Sequence, residues 1–114
     1  MTLRERKVGA WTVLEVEGRV DHLAAPQLQA CLLEHVRAGD RAIILDCGQL
    51  TYLSSAGLRV LLLASQQQRE HKLALRLCGL NPNIRHFFEI SGLLQWLRVY
   101  PNSHEASQDP VPPT

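Results

Sequence analysis

The segment that decides the fold of this chain reads Ile44-Leu45-Asp46-Cys47-Gly48-Gln49-Leu50-Thr51-Tyr52-Leu53-Ser54-Ser55-Ala56-Gly57-Leu58. Residues 42–45 form a short apolar run that stops at Asp46, which predicts a central strand buried on both faces. Ser54 or Ser55 suits the N-cap of a following helix, which we expect to run to about Glu70. A loop over residues 46–52 is expected to connect the strand to the helix.

Upstream of this segment, the sequence predicts a hairpin followed by a helix. Residues 3–8 and 11–17 flank a turn at Gly9, and the second of these segments alternates in the manner of a strand. Gly18 is expected to end that strand. Pro26 then marks the first turn of a helix, because the missing N–H of proline would have no partner there.

Downstream, the same signals predict a strand, a helix and a last strand. Residues 73–78 alternate as a strand. Asn81 followed by Pro82 is typical of the start of a helix, and Gly92 is expected to end it. Residues 96–100 complete the series as a short strand or extended segment.

The predicted order is β-β-α-β-α-β-α-β, without an internal repeat. Strands that alternate with helices imply a largely parallel sheet, and the leading hairpin adds an antiparallel strand. We therefore expect a single α/β domain with a mixed, mostly parallel β-sheet over residues 1–100. Residues 101–114 are rich in Pro, Ser, Asn and Gln and are expected to form a disordered Pro-rich tail.

Composition argues against several classes of partner. The chain has 114 residues and a formal net charge of +1, so it offers no electrostatic reason to bind nucleic acid or an anionic membrane. The longest apolar stretch, residues 60–64, is far below the roughly 20 residues of a membrane-spanning helix. The first residues lack the apolar core of a secretory signal, and a cytoplasmic location is expected.

The cysteines and histidines predict neither a metal site nor a catalytic one. Cys31, Cys47 and Cys78 are widely spaced among apolar residues, which favours buried reduced thiols. The histidines show no ligand spacing and are expected at the surface: His22, His35, His71, His86 and His104. We therefore expect no metal, no cofactor and no enzymatic activity. An alternative is a small-ligand site in the loop after Asp46, although Asp46 is more readily explained as a hydrogen-bond acceptor for that loop.

Two hydroxyls lie where the second predicted helix begins. The backbone N–H groups there are unpaired and the helix dipole is positive, so a phosphate on Ser54 or Ser55 would be favourably placed. Such a phosphate would still add roughly two negative charges and would repel a partner that carries carboxylates. The alternative is that Ser55 serves only as an N-cap.

The helix after these serines has an unusually wide apolar surface. One face comprises Leu58, Leu61, Leu62 and Ser65, and a second stripe comprises Val60, Leu63, Ala64 and Gln67. Either neighbouring elements cover this helix from two sides, or part of the second stripe binds a partner.

Three parts of the chain, in order, resemble the STAS-domain anti-sigma factor antagonists over roughly residues 3–100. In residues 46–58 the resemblance is to an aspartate that ends a strand, an aromatic-containing turn and a Ser-Ser/Ala-Gly-Leu helix start. Residues 18–21 and 25–28 resemble the family's entry to its first helix. Residues 80–84 and 91–93 resemble its closing helix and loop.

This resemblance implies a cytoplasmic signalling switch that regulates transcription. In the family, a serine kinase that is also an anti-sigma factor phosphorylates one serine, which corresponds to Ser55, and a phosphatase removes the phosphate. The unphosphorylated form binds the kinase. Ser54 stands where the family usually has aspartate, so Ser54 is an alternative acceptor. The implied partner surface comprises Asp21, Ser54, Ser55, Ala56, Gly57, Leu58, Val60 and Leu63.

A second implication of the same resemblance is a different partner. Some STAS domains act as stand-alone subunits that regulate or assemble a membrane transport ATPase complex, for instance one that moves lipids. In that case the same helix would dock on the ATPase.

Overall fold

The computed structural model describes residues 1–68, 70 and 72–109, so Arg69, His71 and residues 110–114 lie outside this part. The secondary-structure elements, in chain order, are β1 (Thr2–Val8), β2 (Trp11–Val20), α1 (Ala25–Arg37), β3 (Ala42–Asp46), β4 (Leu50–Leu53), α2 (Ser55–Gln67), β5 (Ala74–Cys78), α3 (Pro82–Ser91), a 3₁₀ turn (Leu93–Gln95), β6 (Arg98–Tyr100) and α4 (Ser103–Gln108). Helix α2 therefore ends slightly earlier than expected.

The six strands form one mixed sheet, which confirms the predicted fold class. Its main path runs β1-β2-β3-β5-β6, and β4 pairs with the far end of β2. Strands β1 and β2 are antiparallel and meet at a turn where Gly9 has a φ of +59°. The remaining pairs are parallel, as expected where helices make the crossovers.

Strand β2 continues through Gly18, so the expectation that Gly18 ends the strand is wrong. Gly18 has a φ of +88°, which glycine adopts at little cost, and the register shifts between Gly18 and Arg19. This bulge lets β2 pair with β3 before it and with β4 after it.

The expected loop over residues 46–52 is also wrong in its second half, because Leu50–Leu53 forms strand β4. Its two end residues are buried, while the two middle ones are exposed. Gly18 N–H donates to the Gln49 carbonyl at 2.9 Å and the Thr51 hydroxyl donates to the Gly18 carbonyl at 3.0 Å. The bulge in β2 therefore provides the partner that turns this segment into a strand.

The main hydrophobic core lies between the sheet and helices α1, α2 and α3. It is built from alternate strand residues such as Leu14, Ile43 and Leu75, together with Leu28 and Phe88 from the helices. As predicted, α1 begins near Pro26, and α3 begins after an Asn81 N-cap and ends at Gly92 in the left-handed conformation.

The opposite face of the sheet is covered by the C-terminal segment. Ala106 of α4 is fully buried in a second apolar cluster, whose strand members include Trp11, Val13 and Ile44. The expectation of a disordered tail from residue 101 is therefore wrong as far as Asp109. A sheet that is apolar on both faces needs cover on both, and α4 supplies it.

A polar clamp holds this segment in place. The guanidinium of Arg76 is buried and stacks over the Trp11 ring with 4.7 Å between its carbon and the ring centroid. Its Nη1 lies 2.8 Å from Oδ2 of Asp109, and Arg98 Nη1 lies 3.0 Å from the same oxygen. The hydroxyl of Tyr100 also donates to Asp109. Among the described helices, none has the length and apolar character of a membrane span.

Candidate functional site

The candidate site lies where β2 and β4 end side by side. Val20, the last residue of β2, is paired with Leu53, the last residue of β4. Asp21 and Ser54 follow directly, so the loop before α1 and the start of α2 emerge from the same end of the sheet. The structure thus brings together the parts of the predicted partner surface that are far apart in sequence.

Of the two serines that suit the N-cap of α2, Ser54 is the one that occupies it. Its backbone is extended, its Oγ accepts from Gly57 N–H at 3.2 Å, and its carbonyl accepts from Leu58 N–H at 2.9 Å. Ser54 N–H donates in turn to the Val20 carbonyl at 2.8 Å. The half-buried Ser54 hydroxyl is therefore engaged in holding the helix start on the sheet.

Ser55 is the first residue within α2 and is exposed. No described residue makes a hydrogen bond with its hydroxyl. The N–H groups of a first helical turn have no intrahelical partner, so they point towards the same solvent-facing space. Of the two hydroxyls, the one on Ser55 is therefore the exposed one without a partner among the described residues.

Gly57 explains how α2 approaches the strand ends so closely. A Cβ at this position would lie 2.6 Å from Leu53 Cδ1 and 2.9 Å from Val20 Cγ1. Gly57 is buried against these core side chains. It acts as a packing contact beneath the predicted surface, and glycine is the residue type that fits.

Asp21 braces the loop that leads into α1. Its Oδ1 accepts from Ala24 N–H at 2.8 Å and from Leu23 N–H at 3.1 Å. The hydrogen bond from Ala24 is the main reason that the pKa of Asp21 is below its ordinary value, and the nearby positive charges of His22 and Arg19 act in the same direction. The carboxylate is thus ionised and already hydrogen-bonded within the loop.

The wide apolar surface of α2 is largely covered. Val60 and Ala64 are buried, with exposures of 7% and 8%, because α1 packs beside them. Leu63 stays 38% exposed on the same stripe. Ala56 and Leu58 are half-buried. Cover by neighbouring elements from two sides therefore explains most of the wide apolar surface of α2. Leu63 is the part of the second stripe that remains accessible to a partner.

Three exposed side chains at this end of the molecule were absent from the predicted set. Leu23 is 75% exposed in the loop before α1. Arg19 stacks over the ring of Tyr52 at 4.2 Å, and Arg59 is exposed on the second turn of α2. No acidic residue lies in the first turn of α2. The sequence signal for this positive surface was the pair of arginines close to Asp21 and Ser55.

Asp46 has the structural role that was predicted for it. Its Oδ1 accepts from Gly48 N–H at 3.0 Å, and its Oδ2 lies 3.7 Å from Arg6 Nη2. The cavity next to it is lined by Glu15, Glu17 and Asp46, and these carboxylates pair with Arg4 and Arg6.

The cysteines are unpaired, and two of them, Cys47 and Cys78, are buried as expected, whereas Cys31 is half-buried. Burial raises the pKa of Cys78 to about 12, so its thiol is protonated at neutral pH. His35 is half-buried between Glu5 and Asp40 at 3.0 and 3.1 Å, and thus departs from the expectation of a surface histidine. Among described residues, no group of three or more His, Cys, Asp or Glu could hold a metal ion.

Comparison with known proteins agrees with this fold. A family model described as the STAS domain matches residues 3–106. A curated protein from Bordetella bronchiseptica that carries the name of an anti-sigma factor antagonist, BtrV, is 43% identical over 107 residues, which is 94% of this chain and 91% of that protein.

Two solved structures show the same architecture. An anti-sigma factor antagonist from Mycobacterium paratuberculosis superposes with a TM-score of 0.84 at 21% identity, covering 94% of this chain and 91% of that one. The Bacillus cell fate determinant SpoIIAA in its phosphorylated form gives a TM-score of 0.74 at 23% identity, covering 94% and 97%. The chain therefore belongs to the STAS-domain family of anti-sigma factor antagonists.

Proposed function

We propose that this chain is a cytoplasmic anti-sigma factor antagonist that binds a kinase-type anti-sigma factor through the start of α2. Phosphorylation of Ser55 by that kinase switches the binding off, and a phosphatase restores it. The observation that carries this proposal is the division of roles between the two serines. Ser55 is exposed without a side-chain partner among the described residues, whereas Ser54 caps the helix.

The geometry gives a physical reason for the effect of a phosphate. A phosphate on Ser55 lies next to the free N–H groups and positive dipole of α2, so the fold tolerates it. It nevertheless places roughly two negative charges on an exposed surface. A partner that docks there with carboxylates or apolar groups would lose affinity, while the core beneath would be unchanged.

The serine at position 54 is compatible with this switch. Serine and aspartate are both good N-cap residues, because each accepts a hydrogen bond from the first helical turn. Ser54 keeps that bond to Gly57 N–H without a negative charge beside Ser55. We infer that the start of α2 is preserved although the family's usual aspartate is absent.

The comparisons support the proposal at the level of the family. The 43% identical relative carries the name of an anti-sigma factor antagonist. SpoIIAA, which shares the fold, has been solved in both unphosphorylated and phosphorylated forms. A phosphorylated state is therefore compatible with this architecture.

Phosphate mapping tests the proposal directly. The purified protein is incubated with its cognate anti-sigma factor kinase and ATP, and the modified residue is located by mass spectrometry. We expect one phosphate on Ser55, no phosphate on the S55A variant, and a phosphate still present on S54A. Binding of the kinase in the presence of ADP is expected to be lost on phosphorylation.

Two results would overturn the proposal. One is a kinase that binds the wild-type protein but transfers no phosphate to Ser55. The other is a phosphate confined to Ser54, because the structure assigns that hydroxyl to the cap. Circular dichroism of S54A and S55A is the control that both variants remain folded.

A further inference from the structure

A groove runs between the first turn of α1 and the first two turns of α2, and it is lined by Ala56, the residue after Ser55. We call it the α1–α2 groove. Its walls are mainly apolar and include Pro26 and Ala25 on one side and Ala56 and Leu63 on the other. Its volume is about 330 Å³, whereas one water molecule occupies about 30 Å³ in the liquid. The groove is therefore large enough for an apolar side chain.

The wider part of the space between the two helices lies towards their N-terminal ends. Farther along the same two helices, the space between Leu32, Val60 and Leu73 shrinks to about 50 Å³. Val60 and Ala64, which line this narrow part, are buried. An incoming side chain therefore finds the larger space beside the first two turns of α2.

Both ionisable residues that line this groove, His22 and Arg59, are basic, and the ionised carboxylate of Asp21 adjoins His22 in the loop before α1. Arg59 is exposed and, within the described residues, makes neither a hydrogen bond nor an ion pair. By contrast, Arg19 stacks on Tyr52 and Arg85 pairs with Glu89. Arg59 is thus a cation at the edge of an apolar groove without a counter-ion.

We propose that the α1–α2 groove receives an apolar side chain of the anti-sigma factor, flanked by a carboxylate that pairs with Arg59; this inference rests on the function proposed above. Apolar walls and the Arg59 guanidinium at the edge are complementary to that chemistry. Water is excluded when such a groove is filled, so the Arg59–carboxylate hydrogen bonds gain strength.

Arg59 can pair either with a carboxylate of the partner or with a phosphate on Ser55. Ser55 and Arg59 are four residues apart on α2, a spacing at which side chains are neighbours on a helix surface. A phosphate on Ser55 is a strong acceptor for a guanidinium and lies N-terminal to it. Phosphorylation therefore takes Arg59 away from the carboxylate of the partner, in addition to repelling that carboxylate.

Binding of the unphosphorylated protein to its anti-sigma factor kinase tests the groove, by calorimetry with ADP present so that no phosphate is transferred. R59Q is expected to weaken binding about tenfold or more. Q29W, which places a bulky group on an exposed groove position of α1, is expected to do the same. The matched control is R37Q, since Arg37 is an exposed arginine in the last turn of α1, and its binding should stay within twofold of the wild type.

Phosphorylated samples test the competition for Arg59. Phosphorylation of Ser55 lowers the affinity for the kinase by some factor in each protein. We expect this factor to be at least about fivefold smaller in R59Q than in the wild type, because the variant has no Arg59 contact to lose. Repulsion alone predicts the opposite order, since Arg59 would then partly neutralise the phosphate.

The outcomes are distinguishable. Wild-type affinity for R59Q or Q29W, or an equal or larger phosphorylation effect in R59Q, overturns this inference and leaves the proposed function standing. Self-association of the chain that R59E abolishes in sedimentation would assign the groove to a second copy and also overturn it. Absence of any binding by the unphosphorylated wild type would overturn the proposed function, and this inference with it.

Discussion

Gly57 shows how one residue sets the position of the site. A Cβ there would meet Leu53 Cδ1 at 2.6 Å and Val20 Cγ1 at 2.9 Å, and both of these side chains are in the core. Helix propensity favours alanine over glycine by about 1 kcal/mol, whereas overpacking a core costs about 1–3 kcal/mol. The clash should prevail, because both neighbours are buried in the core.

We therefore expect Gly57→Ala to lower the free energy of unfolding by about 1 kcal/mol and to weaken partner binding, because the start of α2 must shift. Urea denaturation measures the first effect and calorimetry the second. Ser55→Ala, an exposed change in the same turn, is the control and should alter stability by less than about 0.5 kcal/mol. A Gly57→Ala variant as stable as the wild type would show that the close approach is not required.

Cys78 predicts a dependence of stability on pH. Its thiol is buried, and its pKa is raised to about 12 from an ordinary value of 9.0, mainly by burial. The neutral thiol therefore contributes stability that is fully present below pH 9 and is lost as pH rises from 9 towards 12, where the unfolded chain ionises first.

Cys78→Ala removes this contribution and leaves the other titrating groups in place. The variant should be less stable than the wild type at pH 8, because a small cavity forms. The difference in free energy of unfolding should narrow by pH 10.5, as the wild type alone loses the contribution of Cys78. Urea titrations at both pH values measure it, and a constant difference would contradict the raised pKa.

At the scale of elements, the helices could be predicted because their ends carry chemical signals. Pro26 and the Asn81-Pro82 pair mark helix starts, and Gly92 in the left-handed conformation marks an end. Strand β4 could not be predicted in this way. Its buried residues, Leu50 and Leu53, are three apart and lack the period of two that identifies a strand, and its pairing depends on a bulge elsewhere.

The sequence could also predict that a helix begins at the two serines, but it could not assign their roles. Either Ser54 or Ser55 satisfies the preference for serine at an N-cap. The choice depends on the Ser54 N–H bond to the Val20 carbonyl, which comes from a residue more than thirty positions earlier. Tertiary contacts therefore decide which hydroxyl is free.

The cap on α2 gives a prediction at this scale. Ser54→Ala removes the acceptor for Gly57 N–H and should cost about 1 kcal/mol of stability. Ser54→Asp should retain wild-type stability or gain up to about 0.5 kcal/mol, because a carboxylate caps equally well and favours the positive end of the helix. Thermal unfolding of the two variants measures this, and equal loss in both would mean that the cap contributes little.

At the scale of the whole molecule, the tail shows the limit of composition as a guide. Residues 101–109 contain little apolar area, so their sequence resembles a disordered segment. Their order comes from a buried alanine, from Ser103, whose hydroxyl accepts from Arg6, and from Asp109, which Arg76 and Arg98 hold. The strands carried the signal that this segment is ordered. Without it, the second face of the sheet would expose Trp11, Val13 and Ile44 to solvent.

Removal of this cover should destabilise the domain without reaching the site. Successive strand residues point to opposite faces, so α4 and the start of α2 lie on opposite sides of the sheet. Deletion of residues 101–114 exposes Trp11, which is 3% exposed in the intact chain, and leaves Arg76 without Asp109. A stability loss of about 2–3 kcal/mol is expected from Trp11 alone.

Tryptophan fluorescence measures this in a Trp96→Phe background, because Trp96 is 57% exposed and would obscure the signal. The deletion should shift the Trp11 emission to the red and increase its quenching by acrylamide, while phosphorylation of Ser55 proceeds unchanged. The matched control lacks only residues 110–114, and it should keep the buried Trp11 emission of the full chain, since Asp109 and α4 are retained. A full deletion with unchanged Trp11 emission would show that the sheet's second face does not depend on α4. Loss of Ser55 phosphorylation in a folded deletion variant would instead show that the two faces are coupled.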